Sequence, residues 1–123
     1  MTVLFQTVGT GDAGPVWQAL ARVMEDVRPD HVVLWCSTKS ASETVPRIEA
    51  ALAESGQALP PHDVRACDDE LDVEALSRAY IDELDDWRRR HPEARFVVDF
   101  TSGTKPMSAA AVAAAVARRV PEL

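Results

Sequence analysis

Lys39 and Lys105 are the only lysines among 123 residues, and both stand in short runs of small and hydroxylated residues, "STKSAS" (37–42) and "TSGTKP" (101–106). A third run, "GTGDAGP" (9–15), has the same character without a lysine. Backbone N–H groups at the start of a helix, hydroxyls beside them and one ammonium group are what a phosphate needs. The residues these runs put forward are Thr10, Gly11, Asp12, Ser37, Thr38, Lys39, Ser40, Thr101, Ser102, Gly103, Thr104 and Lys105. Every other positive side chain is an arginine, and the formal net charge is −7. The field of the whole protein therefore repels polyanions such as duplex nucleic acid, and an anion site has to be local.

Such runs act together only if the fold brings them together. Residues 2–8 ("TVLFQTV"), 31–36 ("HVVLWC") and 95–100 ("RFVVDF") are β-branched, aromatic or continuously apolar and read as strands. Residues 63–67 make a short, weak fourth strand. A first helix carries Val16, Trp17, Leu20, Val23, Met24 and Val27 on one face and ends at "RPD". The second begins anywhere from Ser40 to Thr44, because Ser40 and Glu43 have capping-box spacing while Pro46 prefers a first turn, and it ends near Gly56. Asp72 caps the third, whose stripe is Val73, Leu76, Tyr80, Leu84 and Trp87 and whose end carries Arg88, Arg89 and Arg90, as its dipole favours. The fourth, 106–119, is nearly all Ala, Val and Met; apolar around its circumference, it is expected to be covered by its own sheet and by a partner subunit. Four strands alternating with four helices argue for an α/β fold: a doubly wound, mainly parallel sheet with helices on both faces, Rossmann-like, in one domain over 1–123.

In such a sheet ligands bind outside the carboxyl ends of the strands, where all three runs fall. Gly9, Gly11 and Gly14 have the G-x-G-x-x-G spacing of a dinucleotide loop, but the acidic ribose-binding residue expected about 20 residues on is missing; Cys36 and Ser37 stand there. Nicotinamide cofactors are disfavoured. Taking Gly103 as the second glycine of a nucleoside triphosphate loop puts Val98 in place of the first, and Pro106 follows the lysine where Ser or Thr is required. His31, His62 and His91 each precede a strand, which sends them to the opposite edge and leaves the proposed pocket without an imidazole for acid–base work. Asp99 is expected to anchor the turn after it. The acidic run at 68–74 suits a helix start and is not read as a metal site. Cys36 and Cys67 lack metal or disulfide spacing and are expected to be free thiols. No cofactor is called for. With no apolar run of about 18 residues and no leader, the expected location is the cytoplasm and no membrane is involved.

Two stretches, "VGTGD" after the first strand and "VVDFTSGTKPMSAAA" at the fourth, make the sequence similar to CARF domains, the CRISPR-associated Rossmann-fold sensors of type III CRISPR systems. The second stretch matches the family's D-x-T-G-G-T-K-x-M-S signature, with Ser102 in place of its first glycine. The resemblance implies a sensor of cyclic oligoadenylate, usually the four-adenosine ring. It implies binding across a homodimer formed through the helix after Lys105, and control of an effector. The family's last strands and effector domain are expected to be lacking here. Carried over by position, Thr101, Ser102, Gly103, Thr104 and Lys105 would hold phosphate and ribose, Thr10, Gly11 and Asp12 would meet ribose or base, and Met107 would pack on an adenine. The alternative the family offers is a ring nuclease. There a ribose 2′-hydroxyl attacks its own phosphate without metal while Lys105, Thr104 and Ser102 line the site.

Overall fold

Alternation of apolar side chains along each strand builds two separate cores, one on either face of a single sheet. The computed structural model describes residues 1–10, 13–68 and 72–120. Its elements run β1 (Thr2–Val8), α1 (Ala13–Val27), β2 (His31–Ser37), α2 (Thr38–Glu54), β3 (His62–Cys67), α3 (Val73–Arg90), β4 (Arg95–Asp99) and α4 (Lys105–Ala117). Val3, Phe5, Val33, Trp35, Phe96 and Val98 point to one face, where α3 and α4 cover them. Leu4, Val8, Val32, Leu34, Cys36 and Val97 point to the other and meet Val16 and Leu20 of α1 and Val45, Ile48 and Leu52 of α2. Within the first core the rings of Trp35 and Tyr80 stack at 4.1 Å.

The sheet is parallel throughout, in the order β3-β2-β1-β4. The chain moves outward from β1 to β3 under α1 and α2. Then α3 carries it back over the opposite face, and β4 pairs with the far side of β1, Gln6 opposite Asp99. The strand order thus reverses between β1 and β4, and the crevice that such a reversal opens lies at their carboxyl ends. This is the doubly wound, Rossmann-like architecture that the alternation predicts.

Two local expectations need correction. Helix α2 starts at Thr38, before the earliest expected residue, because Ser37 is its cap: the Ser37 side chain accepts from the Ser40 N–H at 3.0 Å, and Ser40 Oγ accepts from the Ser37 N–H at 2.9 Å. A serine here plays the part usually taken by Glu in a capping box. Pro46 consequently sits well inside the helix, on its exposed side, where only the exposed Ser42 carbonyl forgoes its helical donor. The second correction concerns α4. Much of the apolar circumference assigned to a partner is met within the chain, since Ala110, Ala111, Ala114 and Ala115 are fully buried in the core shared with α3. Arg118 fastens the end of α4 to α3 by two hydrogen bonds to Asp85, 2.7 and 3.2 Å. Ala109, Ala113, Val116 and Ala117 stay exposed, Val116 at 68%.

Candidate functional site

The ends of β1, β2 and β4 and the segments leaving them meet at the carboxyl edge, joined by hydrogen bonds. The Gly9 N–H, leaving β1, donates to the Ser102 carbonyl of the β4–α4 turn at 2.8 Å. The Ser40 hydroxyl, at the start of α2, donates to the Val8 carbonyl at 2.8 Å. Asp99, buried at the end of β4, accepts from both the N–H (2.9 Å) and the hydroxyl (2.7 Å) of Thr101, so it anchors the turn as its position predicts. Gly103 lies hard against β1: a Cβ there would stand 2.8 Å from Cβ and 2.9 Å from Oγ1 of Thr7, itself fully buried. Thr104 caps α4 and Lys105 is its first residue, exposed; Lys39 is likewise exposed in the first turn of α2. Both lysines of an acidic chain therefore sit where helices begin, at the same edge of the sheet.

Between these turns and the start of α3 lies a cavity of about 230 Å3. Thr10, Thr104, Pro106 and Met107 line it from β1 and α4; Cys36, Ser37 and Lys39 line it from β2 and α2; Cys67, Asp68 and Leu76 close it from β3 and α3. Burial pushes the Cys36 thiol up to about 12 and raises Cys67 as well, helped there by the charge of Glu83. Neither is a thiolate nucleophile near neutral pH. A larger opening of about 510 Å3, bounded by residues such as Met24, Pro29, Leu59 and Pro60, lies at the amino edge and gathers no hydroxyl groups. His31 and His62 open β2 and β3, with His31 Nε2 3.1 Å from Asp63, and His91 caps the end of α3. All three histidines lie away from the cavity, as expected.

Of the residues singled out by sequence, Thr10, Ser37, Lys39, Thr104 and Met107 share this cavity. Ser102, Gly103 and Lys105 belong to the turn beside it, outside its lining. Ser40 is fully buried and its hydroxyl is engaged with Val8, while the Thr101 hydroxyl is given to Asp99 and that of Thr38 reaches the Cys67 carbonyl at 3.4 Å. Gly11 and Asp12 lie outside the described residues. Cys36, Cys67, Asp68, Leu76 and Pro106 were missed. The carboxyl-end rule reaches Cys67 and Asp68, but their types carry no phosphate signal, and Leu76 reads as one more member of a buried stripe.

No family model matches the chain, and no curated protein matches its sequence. Among solved structures it superposes on Enterococcus italicus Csm6 bound to cyclic hexa-2′-fluoro-hexa-dAMP, with a TM-score of 0.74 and 21% identity. The two share a fold. The match takes in 97% of this chain and 31% of Csm6, so the chain spans about a third of that protein.

Proposed function

We propose that the chain is a CARF domain that binds cyclic oligoadenylate at its carboxyl edge and reports the event to an effector in type III CRISPR defence. The observation that carries this reading is the convergence of Lys39 and Lys105, the only lysines, on helix starts beside one switch-point cavity. Helix N-termini with a cation alongside suit phosphodiesters. The likeness to Csm6, whose structure holds a six-membered adenylate analogue, supports a ring as the ligand. The family resemblance favours the four-membered ring, so ring size is part of the test.

A single protomer offers only one Lys39 and one Lys105 to a ring carrying several phosphates. A second copy docked on the exposed strip of Ala109, Ala113 and Val116 on α4 brings a second pair and removes that apolar surface from water. Ligand binding then shifts the arrangement of the two subunits, which the effector reads.

Calorimetry with cyclic tetra-adenylate and cyclic hexa-adenylate, followed by chromatography of the ring, tests the reading. Tight binding of one ring, recovered intact, is the expected result. Linear products with 2′,3′-cyclic phosphate ends would instead assign the ring-nuclease activity, with Ser102, Thr104 and Lys105 around the reacting phosphate. Failure to bind either ring removes both.

A further inference from the structure

The amino edge of the sheet, opposite the cavity, carries both signs of charge on separate sides. Helices α3 and α4 end on one side and α1 and α2 on the other, because each helix runs back against the parallel strands it covers. Arg88, Arg89 and Arg90 close α3, and Arg118 and Arg119 follow α4. The Arg88 guanidinium donates to the Arg118 carbonyl at 3.0 Å and lies 5.0 Å from the centre of the Phe96 ring at the start of β4. The carboxylates in ion pairs with this group are Asp85 and Asp86, so five guanidinium groups share two anions. On the other side Glu25 and Asp26 stand in the last turn of α1 and Glu54 is the last residue of α2, all three exposed. No ion pair among the described residues uses any of them, and Arg22 and Arg28, the cations of that stretch, form none either. Arginine at a helix end suits the dipole, whereas a carboxylate there opposes it. Helix stability therefore accounts for the basic side and not for the acidic one.

We propose that the amino edge pairs with the amino edge of a second copy of this chain, arginine side on acidic side. A two-fold axis through the edge satisfies both sides at once, since each copy offers its guanidinium groups and receives the other's. The acidic side is also shaped for this: beside Glu25 lies the opening of about 510 Å3 whose walls include Met24, Pro29, Leu59 and Pro60. An apolar trough with a carboxylate on its rim matches an arginine, whose methylene stem lies on apolar surface while its planar head forks onto the carboxylate. Single-stranded nucleic acid is the competing occupant of an arginine cluster. The rings under these arginines, Trp87 and Phe96, are buried, however, and give no base a face to stack on. The contact is separate from the exposed strip of α4 and leaves the cavity open at the far end of the strands.

Sedimentation of wild type, Arg89→Glu/Arg119→Glu and Glu25→Arg/Asp26→Arg tests the pairing, with thermal melts to show that each is folded. In about 0.05 M salt wild type is expected at twice the mass of either variant; in about 1 M salt, where the screening length is about 3 Å, all three should share one mass. Any pairing through α4 is apolar and common to all three, so it leaves the comparison intact. Mixing the two variants in equal amounts at low salt should restore the wild-type mass. The acidic side kept by the first then meets the arginine side kept by the second, and their reversed sides match as well. One mass for wild type and both variants at low salt, or a mixture that stays at the variants' mass, overturns the proposal. So does a wild-type mass that salt does not change, a measurement that decides even where a variant melts early. One mass throughout, with oligouridylate binding to wild type and not to Arg89→Glu/Arg119→Glu, would give the arginines to nucleic acid instead.

Discussion

Gly103→Ala probes how the β4–α4 turn is held. Among the described glycines only Gly56 has a positive φ, so Gly103 is not there for a left-handed backbone and alanine brings no torsional strain. What it brings is one methyl group in a place already taken: 2.8 Å from Thr7 Cβ, 2.9 Å from Thr7 Oγ1 and 3.1 Å from Met107 Cβ. Non-bonded carbons prefer about 3.5–4.0 Å, so the contact with Thr7 is short by roughly 1 Å. Thr7 cannot retreat, being fully buried on a strand paired on both sides with β2 and β4. The turn must lift instead, taking with it the Ser102 carbonyl that receives the Gly9 N–H and the start of α4 with Lys105. Misplacing a binding group by 1 Å costs up to about 100-fold, and overpacking of this kind destabilises by about 1–3 kcal/mol. Calorimetry with the adenylate ring, run well below the midpoint of a thermal melt recorded on the same sample, should show affinity reduced about 10- to 100-fold. His62→Ala, at the opposite edge of the sheet and away from the cavity, is the control and should bind nearly as wild type. A folded Gly103→Ala protein with undiminished affinity would refute the view that the turn is pressed into place by β1 and presents the ligand groups.

Lys105→Ala should weaken ring binding by roughly 2 kcal/mol, about 30-fold, through loss of a charge-assisted phosphate contact, again read by calorimetry; unchanged affinity would place the phosphates elsewhere. Ala113→Glu sets a charge on the exposed strip of α4 without touching the core, so the melting temperature should hold while sedimentation moves toward the monomer and ring affinity falls. Asp85→Asn removes the anion that Arg118 grips; hydrogen bonding to Arg118 holds the Asp85 carboxyl below the usual carboxylate range. A depressed carboxyl stabilises the fold above its unfolded pKa of about 4, and that contribution fades as pH drops through the folded value. The variant should therefore melt slightly lower than wild type at pH 7, slightly because both partners are partly exposed and water screens the pair, and the two curves should converge in strong acid. A difference that persists there would mean Asp85 contributes through packing and not through its charge.

Element types along the chain were legible because the sheet is buried from both sides. β1 appears as a β-branched and aromatic run, β2 as a continuous apolar one, β4 as a short apolar core at Phe96–Val98 and α3 as a capped amphipathic stripe. β3 was the weakest signal for a physical reason: Val64, Arg65 and Ala66 remain exposed on it, whereas the other edge strand, β4, buries Phe96, Val97 and Val98. The start of α2 was misplaced because Ser37 and Ser40 both suit a cap, and the choice between them was made by how far β2 extends. Within the site, type and spacing told where hydroxyls gather and not what they face. Asp99 was read correctly because its partner, Thr101, is two residues away, the local geometry of an Asx turn. Ser40 was offered to a ligand because its partner, the Val8 carbonyl, is 32 residues back and reachable only once β1 and β2 are paired.

The same bonds explain why Ser102 is compatible with a family pattern that has glycine in its place. Non-glycine residues with positive φ among those described are Arg28 and Arg119, so Ser102 adopts a backbone that any residue tolerates. The part of Ser102 that is used is its carbonyl, taken by Gly9, and a serine supplies that as well as a glycine does. The close approach to Thr7 of β1 that leaves no room for a Cβ falls on Gly103, one residue later. Ser40 ties the start of α2 to the end of β1, and Asp99 and Thr101 close the β4–α4 turn on the end of β4. Thr10, Ser37, Lys39 and Thr104 line the cavity, and Ser37 and Thr104 at the same time cap α2 and α4. Preorganisation of this kind spares a binding site the entropy of ordering its loops, and the residues that provide it need never touch the ligand.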